Sequence, residues 1–188
     1  MKTVGVLALQ GAVSEHLSML ATLGVTGVAV KYQQDLDGLD GLIIPGGEST
    51  AISRLIQEND LYEALQNFAQ SHPVLGTCAG LILCGNRISY DDGKVKPLNL
   101  MDMCVERNGF GRQIDSFEVE LDVKGIGKNI PAVFIRAPYI ASVGDDVEVL
   151  AYVDDKIVMA KQGKTLVMAF HPELTDDTRI FEFFINQA

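Results

Sequence analysis

The sequence predicts an α/β fold: a doubly wound, mostly parallel sheet with helices on both faces, plus an antiparallel strand extension. Three observations predict it. In the first half, strand-length apolar runs alternate with segments whose apolar residues recur at helical spacing, the rhythm of consecutive β-α-β units. From Phe117 onward the pattern changes to alternation with short turns, as half-exposed antiparallel strands require. At 188 residues, with 47% apolar and 21% charged residues, the chain fits one domain, 1–188, able to bury a sizeable core.

Residues 3–9 read as a buried first strand. Residues 14–23 follow as a helix, with Leu17 and Leu20 at helical spacing beside Met19 and Ala21, and Gly24 as its stop. Residues 27–30 and 41–44 are the next two strands, the latter ended by Pro45-Gly46-Gly47. Residues 49–58 and 61–70 read as helices with Leu55, Ile56, Leu65 and Phe68 inward. His72-Pro73 breaks the pattern before the short strand Val74-Leu75. In the second half, Phe117, Val119, Leu121 and Val123 alternate cleanly. Residues 132–135, 147–153, 156–161 and 165–170 follow as strands, joined in part by the turns Asp154-Asp155 and Gln162-Gly163. Residues 178–186 form a closing helix, and 91–100 is expected to be the most mobile surface loop. There is no internal repeat, low-complexity run or linker.

Composition excludes several classes. A formal net charge of −10 disfavours nucleic acid and anionic membrane, both of which need a basic footprint. It is compatible with docking on a basic protein face. No apolar run is long enough to span a bilayer. Gln10-Gly11 cuts short the first apolar run and no cleavage site follows, so a strand is expected there rather than a signal peptide. Three cysteines with no C-x-x-C spacing argue against a disulfide framework or structural zinc. The default location is a reducing cytoplasm. No metal-binding cluster or cofactor motif is present.

The chemistry centres on Gly76-Thr77-Cys78-Ala79-Gly80, lying between an apolar strand and the apolar segment Leu81-Ile82-Leu83. G-x-C-x-G in that setting is the cysteine version of a nucleophile elbow. The sulfur sits at a helix start, where unpaired N–H groups and the helix dipole favour a thiolate. Of the three histidines, His72 precedes a proline in a connection, and a solvated role is expected. His16, beside Glu15 on the first helix, suits packing, capping or a partner contact. His171 stands in Phe170-His171-Pro172-Glu173 just past an apolar strand. Residues two apart in an extended segment project to one side, so Glu173 can hold one imidazole nitrogen while the other faces Cys78. That is the logic of a nucleophile–base–acid triad. Pro45-Gly46-Gly47-Glu48 ends a strand at the same edge. Its N–H groups, with that of Ala79, can form an oxyanion hole; a phosphate-cradling loop would need the Lys of G-x-x-x-x-G-K-[ST], which is missing. Cys84 and Cys104 read as small buried hydrophobes.

Together P-G-G, G-T-C-A-G and F-H-P-E resemble the triad-type (class I) glutamine amidotransferases. More narrowly, the chain is similar to the glutaminase subunits of pyridoxal 5′-phosphate synthases. The resemblance spans nearly the whole chain. Its markers are Leu9-Gln10-Gly11-Ala12 with Glu15-His16, residues 45–50, Arg107-Asn108 with Phe110-Gly111-Arg112-Gln113, residues 134–138, and residues 170–174. It implies hydrolysis of L-glutamine to glutamate and ammonia through a γ-glutamyl thioester on Cys78, with His171 moving protons and Glu173 holding His171. Gly46, Gly47, Glu48 and Ala79 would line the substrate site, and Arg107 with Ile135-Arg136 would meet the amino-acid end. Gln10, Glu15 and His16 are expected at an interface or gate. The implied partner is a (β/α)₈-barrel synthase subunit, which uses the ammonia with a pentose phosphate and a triose phosphate. The alternative is a glutaminase subunit serving histidine or anthranilate synthesis. Gly109 departs from the usual pattern, where serine or alanine is common.

Overall fold

In a computed structural model, which describes residues 1–111 and 115–188, the elements follow the chain in this order. β1 (Thr3–Leu7) leads to α1 (Val13–Thr22), β2 (Thr26–Val30), a 3₁₀ turn (Gln33–Leu36) and β3 (Gly41–Ile44). Next come α2 (Ser49–Glu58), α3 (Tyr62–Ser71), β4 (Val74–Thr77), α4 (Ala79–Cys84) and β5 (Arg87–Ile88). The second half has β6 (Met103–Glu106), β7 (Ser116–Val123), β8 (Gly127–Ile135), β9 (Tyr139–Val143), β10 (Glu148–Val153) and β11 (Lys156–Gln162). β12 (Thr165–Met168), a 3₁₀ turn (Pro172–Leu174) and α5 (Arg179–Ile185) close the chain.

Ten strands form one mixed sheet in the order β2-β1-β3-β4-β12-β11-β9-β6-β5, with β10 also paired to β11; β7 and β8 form a separate hairpin. From β2 to β12 all pairs are parallel. The strands β3, β4 and β12 are buried along their whole length, which is why they read as unbroken apolar runs rather than alternating ones. Beyond β12 the pairs to β11, β9 and β6 are antiparallel. In the 2-1-3-4 order the crossover from β1 runs one way and those from β2 and β3 the other. Right-handed connections therefore put α1 on one face and α2 and α3 on the opposite face. α5 joins α1, with Phe181 edge-on to His16 at 5.7 Å between ring centroids.

Most elements fall within a residue or two of the bounds the sequence predicts; β8 starts five residues earlier than the expected 132–135, and β5, β6 and β9 carry no sequence signal. On α2 Ile56 is buried as expected and Ile52 with it, while Leu55 is only half-buried. On α1 the buried face is His16, Met19 and Leu20. The 91–100 loop is tied down over its second half, where Val95 and Leu98 are buried. There Lys96 N–H donates to Ser53 Oγ at 2.8 Å and Leu98 N–H to Leu83 O at 2.7 Å. Two apolar anchors outweigh the polar Asp91-Asp92-Gly93 start. Arg112 and Gln113, among the resemblance's markers, lie outside the described residues.

Candidate active site

The loops that follow β1, β3, β4 and β12 leave the sheet at the strands' carboxyl ends, near the point where the strand order reverses and α/β sheets bind ligands. Register brings two of these ends level: Met168 on β12 pairs with Thr77 on β4, and Cys78 N–H donates to Met168 O at 2.9 Å. The nucleophile thus leaves β4 beside the strand that ends in His171. Cys78 has φ +51° and ψ −105°, a costly backbone conformation for a residue with a Cβ. The turn is held because α4 packs directly on β3. A Cβ on Gly80 would overlap the Ile44 carbonyl, so only glycine permits this approach.

His171 is fixed from behind by its N–H, which donates to Val133 O on β8 at 2.8 Å. Its Nδ1 lies 2.6 Å from Glu173 Oε1, and the two side chains are 10% and 0% exposed. The remaining nitrogen is left for Cys78. Burial works against a charged imidazole and is the largest single effect. Hydrogen bonds to Cys78 and Glu173, with attraction to both charges, outweigh it and raise His171 to about 10. A Cβ on Gly46 would come within 2.6 Å of His171 Cε1 and 3.2 Å of Cys78 Cβ. One bare glycine therefore faces both reacting groups, and any side chain there would collide with the imidazole. Cys78 Sγ also lies 3.9 Å from Ile135 O. The structure brings Cys78, His171, Glu173, Gly46, Ala79 and Ile135 together. Ala79 opens α4, so its N–H has no partner within the helix.

The loop after β3 is coupled to the loop after β1. Gln10 Oε1 accepts from Glu48 N–H at 2.8 Å, and Ala12 N–H donates to Gly46 O at 3.0 Å. The Glu48 carboxylate accepts a hydrogen bond from Thr50 Oγ1 and, with Arg54 and Lys94, borders an open cleft of about 530 Å³ that does not include Cys78. Gly47 and Glu48 are exposed.

The two arginines are paired with aspartates. Arg107 is 25% exposed with its guanidinium 3.5 Å from Asp92; Arg136 is 79% exposed and 3.9 Å from Asp115. The segments carrying them are joined by Gly109 N–H donating to Ala137 O at 3.2 Å. Gly109 itself lies under Tyr139, where any Cβ would overlap the ring.

Glu15 is exposed, in keeping with a surface role. His16 is not: it is fully buried. An interface role is therefore not open to its side chain, because three- and four-residue spacing sets His16 on the inward face with Met19 and Leu20. Its Nε2 lies 3.2 Å from Thr77 Oγ1 and 3.7 Å from Glu173 Oε2. Burial, opposed by the charge of Glu173, lowers it to about 4 and keeps it neutral. Thr77, buried beside it, went unnoticed in the sequence; its one signal was a hydroxyl in an otherwise apolar strand. Cys84 is fully buried, and burial pushes its thiol up to about 12, while Cys104 is half-buried. Among the described residues no group of acidic, His or Cys side chains is arranged to hold a metal, and no helix is long and apolar enough to cross a membrane.

Comparison with known proteins points one way. The family model of the SNO glutamine amidotransferases matches residues 6–188. The pyridoxal 5′-phosphate synthase subunit PdxT of Brevibacillus brevis is 55% identical over 186 residues, covering 98% of this chain and 96% of that one. The subunit of the same name from Oceanobacillus iheyensis is 56% identical over 184 residues, 97% of this chain and 92% of that one. A crystal structure of a glutamine amidotransferase superposes with TM-score 0.93 at 42% identity, over 98% of this chain and 97% of that one. PurLQS from Thermotoga maritima, at 15% identity and TM-score 0.70 over 98% of this chain and 97% of that one, shares the fold alone.

Proposed function

The chain belongs to the SNO glutamine amidotransferase family, and we propose that it hydrolyses L-glutamine to L-glutamate and ammonia with Cys78, His171 and Glu173 as its triad. The Cys78 sulfur attacks the side-chain amide carbon, and the oxygen's developing charge is met by the N–H of Ala79 and those of the Gly46-Gly47 loop. His171 carries the proton to the departing nitrogen, so ammonia leaves and a γ-glutamyl thioester remains. His171 then takes a proton from water, which attacks the thioester, releasing glutamate and restoring the sulfur. Glu173 fixes the imidazole's tautomer and balances its charge throughout. Arg107 and Arg136 meet the substrate's α-carboxylate, a task suited to a planar bidentate donor.

The observation that carries this reading is the buried 2.6 Å His171–Glu173 pair with Cys78 on the ring's other side. The ammonia serves pyridoxal 5′-phosphate synthesis, as the names of the relatives suggest. Ammonia released into neutral water is mostly protonated and loses its nucleophilicity, so a docked synthase subunit, a (β/α)₈ barrel, receives it directly. Gln10 and Glu15 belong to the docking or gating surface, because Gln10 occupies the Glu48 N–H of the loop that faces the substrate. The whole chain acts as one glutaminase domain in the cytoplasm, without a metal or cofactor. Cys78→Ala is expected to abolish glutamine hydrolysis, measured with the synthase partner present. Unchanged turnover in that variant would end the reading.

A further inference from the structure

Three buried side-chain nitrogen or oxygen atoms among the described residues have no hydrogen-bond partner: His16 Nδ1, Glu173 Oε2 and Gln187 Nε2. Two of the three belong to side chains that face each other, although the His16 atom turned toward Glu173 is Nε2 and not the orphaned Nδ1. Glu173 uses Oε1 on His171 and turns Oε2 toward His16 Nε2, 3.7 Å away. We propose that His16 is a positioning residue for the triad, presenting a neutral Nε2–H between Thr77 Oγ1 and Glu173 Oε2 and so keeping Oε1 aimed at His171. The proposal rests on the glutaminase reading above.

The tautomer follows from the surroundings. With the proton on Nε2, the ring offers a donor to both oxygens and leaves a bare acceptor at Nδ1. The opposite tautomer would bury an unpaired N–H and set a lone pair against a carboxylate, which costs more. The ring cannot swing away readily. It is held by the backbone of α1, by Thr77 at the end of β4, and by the edge contact with Phe181 on α5. The ionisable groups acting on it are Glu173, His171 and Glu15. A carboxylate with one oxygen engaged and the other in open space can rotate; at 3.7 Å the Nε2–H dipole is too far for a hydrogen bond but favours the orientation that keeps Oε2 toward it. The same stretch of chain, residues 10–16, also holds Glu48 N–H and Gly46 O. The triad's acid and the proposed oxyanion loop are thus referenced to one segment.

The test compares His16→Leu with His16→Gln. Glutamine's side-chain amide reaches the position of Nε2 and retains a donor; leucine fills similar space and has none. In the chain assembled with its synthase partner, His16→Leu is expected to lower kcat for glutamine roughly tenfold, the effect of losing the buried dipole that orients the Glu173 carboxylate. KM should stay unchanged, and the alkaline limb of kcat should move to lower pH. His16→Gln should restore most of both. Active sites are counted by attachment of a glutamine-analogue label to Cys78, so a poorly folded fraction does not distort kcat. If leucine prevents folding, His16→Asn takes its place, because its amide stops short of the Nε2 position. A second readout needs neither substrate nor partner. The low-field proton resonance of the short His171–Glu173 hydrogen bond should shift in the leucine variant and return in the glutamine one. Equal kcat and equal alkaline limbs in wild type and His16→Leu overturn the proposal. So does equal impairment by leucine and glutamine, which would mark a packing role only. Failure of the glutaminase reading shows separately, as turnover surviving Cys78→Ala.

Discussion

The two ends of the proposed substrate site are built on opposite principles. At the reacting end, the His171 and Glu173 side chains are 10% and 0% exposed and 2.6 Å apart, pinned by strand register and backbone hydrogen bonds. At the rim, the two arginines are 25% and 79% exposed and rest on Asp92 and Asp115 at 3.5 and 3.9 Å. The first arrangement is fixed before substrate arrives, so its hydrogen bonds act in a dry, low-dielectric setting. The second trades one weak, solvated ion pair for another when a carboxylate enters. Changes at the buried end should therefore appear in kcat, and changes at the rim in KM.

The harshest test of that contrast is Glu173→Gln. The amide keeps the shape but removes the charge and offers a donor or a weaker acceptor to Nδ1, which undoes both the tautomer and the balance of charge on His171. In the assembled complex kcat should fall by roughly 10³ to 10⁴, with KM for glutamine little changed. A loss below tenfold would mean that the buried pair is not where the transition state is stabilised.

The second test uses acid stability of the isolated chain. His16 is neutral when folded, at about 4, and ordinary when unfolded, at 6.5. The unfolded chain therefore binds the extra proton first as pH falls. The stability contributed by keeping His16 uncharged is complete above pH 6.5 and is lost on descending toward pH 4, by about 3 kcal/mol. Asp102 and Asp177 are held below the usual carboxylate range by their hydrogen bonds to Asn86 and Arg87, and to Arg179. Their losses come lower in pH; His171, raised to about 10, adds a small opposite rise as pH falls through 6.5, but it does so in wild type and His16→Gln alike. Denaturant unfolding of wild type between pH 7 and 4 should show this slope, and His16→Gln should flatten it. Parallel curves for the two proteins would show that His16 is hydrated or charged in the native state.

The same division explains what was legible in the sequence. The buried end was readable because strict constraints leave a short local signature: glycines around Cys78, a proline between His171 and Glu173, and apolar runs that mark the parallel strands. Those features also predicted the doubly wound sheet. β5, β6 and β9 escaped because two to five residues of mixed character carry no clear period. For His16 the sequence offered packing, capping or a partner contact without choosing, because a lone histidine beside Glu15 carries no periodic signal; the structure packs it inward with Met19 and Leu20. A histidine facing inward looks unremarkable until Glu173, 157 positions later in the numbering, is folded beside it. The pairing of Arg107 with Asp92 was unreadable for the same reason: it joins the start of a loop to the end of a strand through tertiary structure alone.

The gentlest test probes the rim. Arg107→Ala is expected to raise KM for glutamine about tenfold with kcat nearly unchanged, since it removes binding shared by ground and transition states. Asp92→Ala should act in the opposite direction and by less. The Arg107–Asp92 contact is a partly exposed ion pair, and such pairs are worth about 0–1 kcal/mol. Releasing Arg107 from it should therefore lower KM by no more than about fivefold. The gain should shrink as salt is added, because screening already loosens the native pair and weakens its grip on the substrate carboxylate as well. Measuring KM for both variants at low and high ionic strength separates two accounts of Arg107. If Asp92→Ala lowers KM only at low salt while Arg107→Ala raises it at both, Asp92 holds the place that the substrate takes. If neither variant changes KM, Arg107 serves the 91–94 turn, and Arg136 alone is left to meet the α-carboxylate.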